Sequence, residues 1–235
     1  MSHRKENHAI ILAAGSGSRF GGIIPKQFLR INDKPLLNYS LETFLDNEYI
    51  DSVTVVLPRD FINFPLPSHA KLRHPVLGGE ERYESAICAL DGMRVDDDAN
   101  IIIHDAARPL VPPELIGEVC KSLDSADLVT PVVEISDAII DVGSLFVVDR
   151  SNYAAVQTPQ GFRYDMLRSA MAQVDGRDMA QWPTPSCEFE IVRVFFPSAR
   201  AKLIAGHWLN HKITSERDIC LLKQFFADRK CCQQR

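Results

Sequence analysis

Ala9-Ile10-Ile11-Leu12-Ala13-Ala14-Gly15-Ser16-Gly17-Ser18-Arg19-Phe20-Gly21, followed by Pro25-Lys26-Gln27, is the stretch that decides the fold. Ala9 to Ala13 is a continuous apolar run, and glycines end it. A strand that is apolar without alternation is covered on both faces, as strands inside a parallel sheet are. The turn that follows is rich in glycine and serine and carries two cations, Arg19 and Lys26. Where no Cβ intervenes, backbone N–H groups close on phosphate oxygens, and fixed positive charge beside them favours a polyphosphate. A glycine turn alone would serve strand-to-helix packing equally well. Two cations within the same short segment favour the phosphate reading. The loop is not a P-loop, since no Gly-Lys-Ser/Thr closes it. The dinucleotide fingerprint also fits poorly, because Gly21 stands one place late and Arg19 falls where the helix should begin.

Three more apolar runs share this character: Ser52 to Leu57, stopped by Pro58; Asn100 to His104; and Asp127 to Val133. Between them the period is helical. Leu37, Leu41, Phe44 and Leu45 share one face, and Leu115, Ile116, Val119, Cys120 and Leu123 share another after a Pro112-Pro113 start. Alternating strands and helices predict an α/β domain with a doubly wound, mostly parallel sheet, spanning residues 1–235. The alternation stops at about 135–156, where Ala138-Ile139-Ile140 and Leu145 to Val148 flank Gly143 with no helix between. This predicts a projecting β-arm. Two readings of it stand level: an arm for dimerisation, or a hairpin folded on its own domain. Beyond Phe162 the pattern predicts a helix from Tyr164 to about Val174, a polar loop from Asp175 to Pro185, and apolar stretches at Ile191–Phe196 and Lys202–Ala205. A last helix starts at Ser215, with Asp218 three residues on as a capping box, a buried stripe of Ile219, Leu222, Phe225 and Phe226, and a frayed tail after Asp228.

Two further segments carry chemistry. In His104-Asp105-Ala106-Ala107-Arg108-Pro109, Asp105 stands just past the end of a central strand, the edge where open α/β sheets bind ligands. A carboxylate there holds Mg²⁺ against phosphate oxygens, although a lone Asp also commonly caps a turn. His104 reads as structural. In Gly78-Gly79-Glu80-Glu81-Arg82-Tyr83-Glu84-Ser85, glycines before a helix suit recognition of a base or ribose by backbone groups.

Composition narrows the class. The chain has 235 residues, 46% hydrophobic and 24% charged, with a net charge of -5 and no long basic run, so large nucleic acids are disfavoured as partners. Six cysteines stand at 88, 120, 187, 220, 231 and 232 without a Cys-x-x-Cys pair, the pattern of scattered reduced thiols rather than of zinc. Met1 to Asn7 lacks the apolar core of a signal peptide, and no apolar run reaches the ~20 residues of a membrane helix. A cytoplasmic protein with no membrane partner is expected.

The three motifs, in this order, resemble the 2-C-methyl-D-erythritol 4-phosphate cytidylyltransferases and the related ribitol-phosphate cytidylyltransferases. The resemblance runs from about His8 to Leu222. It is supported by Asp149-Arg150, by Gln157-Thr158-Pro159-Gln160-Gly161-Phe162, and by Gly206 with Asn210-His211-Lys212-Ile213-Thr214. It implies a Rossmann-like fold, a homodimer joined by the arm, CTP as substrate and Mg²⁺ as cofactor. Ala13, Ala14, Gly15, Gly17, Gly79, Glu80, Ser85 and Ala106 would then contact CTP. Arg19, Lys26 and Lys212 would surround the phosphates as the catalytic cations, and Asp105 would place the metal. Arg150 and Asp137 would bind the acceptor, Arg150 gripping its phosphate from the neighbouring subunit.

Three departures fall on the acceptor side. Asp137-Ala138 replaces the family's Asp-Thr; Cys187-Glu188, or Thr184 if the intervening segment is longer, stands near its Thr-Asp; and Leu209 replaces an acid. 2-C-Methyl-D-erythritol 4-phosphate is the expected acceptor, with ribitol 5-phosphate or another sugar-alcohol phosphate as the alternative. An NAD(P)-binding oxidoreductase and a non-catalytic CTP-binding module are more distant readings.

Overall fold

A computed structural model describes residues 4–15, 24–175 and 184–233. The first apolar run is β1 (Asn7–Leu12), buried along its whole length. A short pair, β2 (Arg30–Ile31) and β3 (Lys34–Pro35), precedes α1 (Leu36–Leu45). Its turn places Asn32 and Asp33 at φ 48° and 61°, where these two residue types are tolerated best after glycine. Then follow β4 (Ser52–Leu57), β5 (Val76–Leu77), α2 (Arg82–Gly92), β6 (Asn100–Asp105), α3 (Pro113–Ser122) and β7 (Leu128–Glu134). The chain continues through β8 (Ile139–Ile140), β9 (Val147–Val148), β10 (Ala154–Val156), β11 (Gln160–Arg163), α4 (Tyr164–Asp175), α5 (Glu188–Phe195), β12 (Ala201–Ala205) and α6 (Glu216–Gln233).

The central sheet has the order β10-β7-β11-β6-β1-β4-β5, with β12 beside β7. β1 is parallel to β4 and β6, β4 to β5, and β12 to β7. Side chains of β1 alternate between two cores, with Ala9 and Ile11 facing α1 and α3. Ile10 and Leu12 face α2, α4 and α5. Burial on both faces is why this strand reads as unbroken apolar sequence. The doubly wound expectation therefore holds, with one addition. β11 wedges between β6 and β7, antiparallel to both. Its sequence, Gln160-Gly161-Phe162-Arg163, has one bulky apolar residue and no period to read. Gly161 is needed there because a Cβ would come within 2.7 Å of Val119 and 2.9 Å of Leu123 on α3.

The β8–β9 hairpin leaves the body of the protein. No residue from 134 to 156 is buried, and Val142, Leu145, Phe146 and Val147 expose their apolar side chains. The stretch from Ile191 is helical as far as Phe195, with Phe196 as the C-cap, and Cys187-Glu188 opens that helix, α5, with Cys187 at its N-cap; Thr184 stays outside it. No helix among the described residues is long and apolar enough to cross a membrane.

α6 runs to Gln233, so fraying after Asp228 is not observed in the backbone. No glycine or proline interrupts the segment, and Arg, Lys and Gln are good helix formers. At its start, Asp218 Oδ2 accepts the backbone N–H groups of Thr214 at 2.7 Å and Ser215 at 2.8 Å. Burial alone would raise the Asp218 pKa, but these N–H groups and His211 outweigh it and hold the carboxyl well below the ordinary range. A carboxyl depressed on folding adds stability above its unfolded pKa of about 3.9, and that stability is lost as pH falls below it. Asp218→Ala is expected to cost about 1 kcal/mol at pH 7, the usual value of a helix cap. The gap between the thermal melts of the two proteins should shrink steadily as pH falls below about 4; an undiminished gap at about pH 2 would contradict the cap.

Candidate active site

β1 and β6 lie side by side with Leu12 opposite Asp105. The two segments leave the sheet at one level, tied by the Ala106 N–H donating to Leu12 O at 3.0 Å and the Ala13 N–H donating to Val56 O at 2.9 Å. This is the carboxyl edge of parallel strands that diverge to opposite sides, where α/β sheets bind ligands. A cleft of about 280 Å³ opens there, lined by Ala13, Ala14, Gly15 and Lys26 from the first motif, Glu80, Glu81, Arg82 and Ser85 from the third, Asp105 and Ala106 from the second, and Lys212. Gly79 sits beside it, and Gly78 lets the two loops meet, since a Cβ there would lie 2.3 Å from Ala14 Cβ. Arg19 and Gly17 lie outside the described residues.

Asp105 is the electrostatic centre of the cleft. Lys212 Nζ lies 2.7 Å from its Oδ2, Arg82 Nε donates to its Oδ1 at 3.1 Å, and Arg108 Nε stands 3.9 Å away. Burial would raise its pKa; Arg82, then Lys212 and Arg108, more than offset this and keep the carboxylate ionised far below the ordinary range. Arg82 also donates from Nη1 to Glu188, whose side chain is fully buried. Burial disfavours the Arg82 charge, yet Glu188 and Asp105 raise its pKa further. His104 is structural, as expected. Its Nε2 meets Arg108 O at 3.1 Å, its Nδ1 meets Thr158 Oγ1 at 3.2 Å, and burial lowers its pKa to about 4, so the ring is neutral at pH 7.

Lys212 is brought to Asp105 by its loop. Gln157 Oε1 accepts from the His207 N–H and from Asn210 Nδ2, both at 3.1 Å. Asn210 Nδ2 also donates to Thr158 O at 2.7 Å, and Arg108 Nη1 donates to Asn210 O at 2.8 Å. From sequence, Arg82, Glu188 and Gln157 carried no assigned role in the site, although Cys187-Glu188 stood near the family's Thr-Asp and Gln157 opened a matching motif. Arg82 had a legible signal, because a cation in the first turn of a helix opposes the helix dipole unless a partner holds it.

Arg150 and Asp137 are not part of this cleft. Both lie exposed on the hairpin segment, where Arg150 Nη1 donates to Ser136 O. Within one chain the arm projects, so the two expected acceptor ligands stay apart from the cations. Leu209 lines a different cavity, of about 630 Å³, beside Tyr39 and Phe225.

The donor set suits Mg²⁺ held mainly by substrate oxygens. That ion keeps water and phosphate ligands and asks for one or two carboxylates, and Asp105 offers one that is ionised. An all-protein metal cage is not present among the described residues, where no three His, Cys, Asp or Glu side chains converge.

The family model of 2-C-methyl-D-erythritol 4-phosphate cytidylyltransferase, IspD, matches residues 7–228. The chain belongs to this family. Family membership makes it a nucleotidyltransferase by descent and removes the dinucleotide oxidoreductase reading. It is similar to the 2-C-methyl-D-erythritol 4-phosphate cytidylyltransferase of Corynebacterium efficiens, 39% identical over 176 residues, covering 69% of this chain and 71% of the relative. It is similar also to the bifunctional ribulose 5-phosphate reductase/CDP-ribitol pyrophosphorylase Bcs1 of Haemophilus influenzae, 29% identical over 245 residues, covering 97% of this chain and 49% of the relative. The chain likewise spans only 56% of the bifunctional enzyme IspD/IspF of Wolbachia pipientis, with 31% identity over 94% of its own length. Among solved structures, the 2-C-methyl-D-erythritol 4-phosphate cytidylyltransferase of Francisella tularensis superimposes with a TM-score of 0.78 at 26% identity, covering 94% of this chain and 99% of that one.

Proposed function

We propose that this protein transfers CMP from CTP to 2-C-methyl-D-erythritol 4-phosphate and releases pyrophosphate. The observation that carries the reading is the convergence of Lys26, Arg82, Lys212 and Asp105 on one cleft at the end of the first strand. Ala13, Ala14, Gly15, Gly79, Glu80, Ser85 and Ala106 would hold the nucleotide there, with Gly17 from the rest of the loop.

The acceptor phosphate is already anionic, so it needs no protein nucleophile. One of its oxygens attacks the α-phosphorus of CTP in line. The new P–O bond forms as the bond to the β-phosphate's bridging oxygen breaks, and that electron pair leaves with pyrophosphate. The obstacle is repulsion between two polyanions, which positioned cations remove. Lys26 and Lys212, with Arg19, supply that charge. A Mg²⁺ bound by Asp105 and the triphosphate would add to it. Asp105, held ionised by Arg82, also fixes where Lys212 stands.

The acceptor side is completed in this reading by a second copy of the chain, whose exposed arm brings Arg150 and Asp137 to the cleft. Arg150→Ala is then expected to raise the acceptor KM at least tenfold and leave the CTP KM within twofold. Mixing it with Lys26→Ala should restore activity, because a mixed dimer holds one site with both groups intact. Absence of rescue, with subunit exchange verified by mass spectrometry, would show that each chain builds its own site.

Ribitol 5-phosphate is the second reading, favoured by the similarity to Bcs1. Pyrophosphate release measured with CTP, ATP, GTP and UTP against both acceptors decides between them. CTP with 2-C-methyl-D-erythritol 4-phosphate should give the highest kcat/KM. Preference for ribitol 5-phosphate would move the protein to that branch, and CTP binding without turnover would make it a binding module.

A further inference from the structure

We propose that Gln27 is a positioning residue that joins the glycine loop to the lysine facing the nucleotide. The proposal rests on reading the cleft as the triphosphate site. The three residues Lys26–Phe28 form a single 3-10 turn after Pro25, and each side chain has a different destination. Phe28 is buried and stacks on Phe61, with ring centroids 4.0 Å apart and planes 3° from parallel, and it also packs against Phe64. Lys26 lines the cleft. Gln27 is buried between them, and its Nε2 donates to Ala13 O at 2.7 Å and to Gly15 O at 2.8 Å.

A primary amide is the side chain that offers two hydrogens from one short, uncharged atom. Here both go to backbone carbonyls two residues apart, where the chain leaves β1 and regular strand pairing has ended. Main-chain oxygens at such a point need a partner, and no other hydrogen bond to Ala13 O or Gly15 O competes among the described residues. The consequence is geometric. With their oxygens turned to Gln27, Ala13 to Gly15 are held in one conformation before nucleotide arrives, and Lys26, on the adjacent residue, is held at one distance from them. The aromatic stack of Phe28 prevents the hook from moving as a unit. Gln27 also borders the cleft, but with both amide hydrogens committed to the backbone of Ala13 and Gly15 it acts through Lys26 and the start of the loop.

Two substitutions and two measurements test this. Gln27→Glu keeps the shape but, when ionised, faces two carbonyl oxygens with an acceptor; Gln27→Met keeps the bulk and removes both donors. Each is expected to raise the CTP KM at least tenfold while leaving the acceptor KM within twofold, a split that general loosening of the fold would not produce. The Glu variant should regain CTP affinity relative to wild type as pH is lowered and its carboxyl becomes a donor, whereas the Met variant should not. Amide hydrogen exchange over Leu12–Gly15 in the nucleotide-free protein should accelerate at least tenfold in both. Exchange needs no substrate, so it reports on the hook even if the cytidylyl-transfer reading fails. Unchanged exchange together with unchanged CTP KM in the Glu variant, which preserves packing, would overturn the proposal, as would equal rises in both KM values.

Discussion

Lys26→Ala is expected to lower kcat by about 10²–10³, the scale seen when one preorganised group that stabilises transition-state charge is removed. The lysine lines the cleft from the turn after the glycine loop, and its half-buried stem is not among the packed core residues. The protein should therefore melt within a few degrees of wild type, and CTP should still bind through the loop backbone. Single-turnover pyrophosphate release at saturating CTP separates chemistry from binding. A kcat within fivefold of wild type would remove Lys26 from the reaction and leave the cleft with Lys212 and Arg82 as its described cations.

Arg82→Ala is expected to have the largest effect on stability, a loss of about 3–5 kcal/mol, because it leaves the buried Glu188 carboxylate without its ion-pair partner and takes one of three cations from Asp105. Glu188 has a fully buried side chain, and Asp105 is 10% exposed. Arg82 joins them across the cleft, from the first turn of α2 to the start of α5 and the end of β6. Replacing a whole buried ion pair by apolar groups is far milder than removing one member. The double variant Arg82→Met/Glu188→Leu should thus recover most of the stability. It should not recover the activity, because Asp105 would still lack the guanidinium that holds its Oδ1. Urea unfolding of the three variants with wild type completes the cycle. If Arg82→Ala unfolded no more easily than the double variant, the bridge would be a surface contact in energetic terms.

The same residue explains what was legible beforehand. The two-face burial of β1, β4 and β6 is written locally, since each strand is buried throughout and carries apolar neighbours without strict alternation. The cleft's first three segments were legible for a related reason: glycines, a cation pair and a strand-end carboxylate sit together in sequence. The pairing of Glu188 with Arg82 was not legible. An acidic residue opening a helix satisfies the helix dipole and looks ordinary, and its partner is 106 residues away. The departure from the family at Cys187-Glu188 consequently keeps a carboxylate in the site, which counting along the chain left open.

By itself, then, the sequence determined the doubly wound sheet, the edge at which the site opens, and the cationic loop that marks it, because strand burial and glycine turns are properties of neighbouring residues. Only the tertiary structure decided which charges meet. Lys212 reaches Asp105 because Gln157, Thr158 and Asn210 lock its loop against the strand that wedges in beside β6. Periodicity could not have shown that wedge in a four-residue strand with one large apolar side chain. The loss of alternation marked a projecting arm, but not that Ala154–Val156 return to the central sheet beside β7. Hydrophobic patterning records whether a side chain meets water or core; it does not record which distant segment supplies the partner, and ion pairs and packing between segments are set by the path of the folded chain.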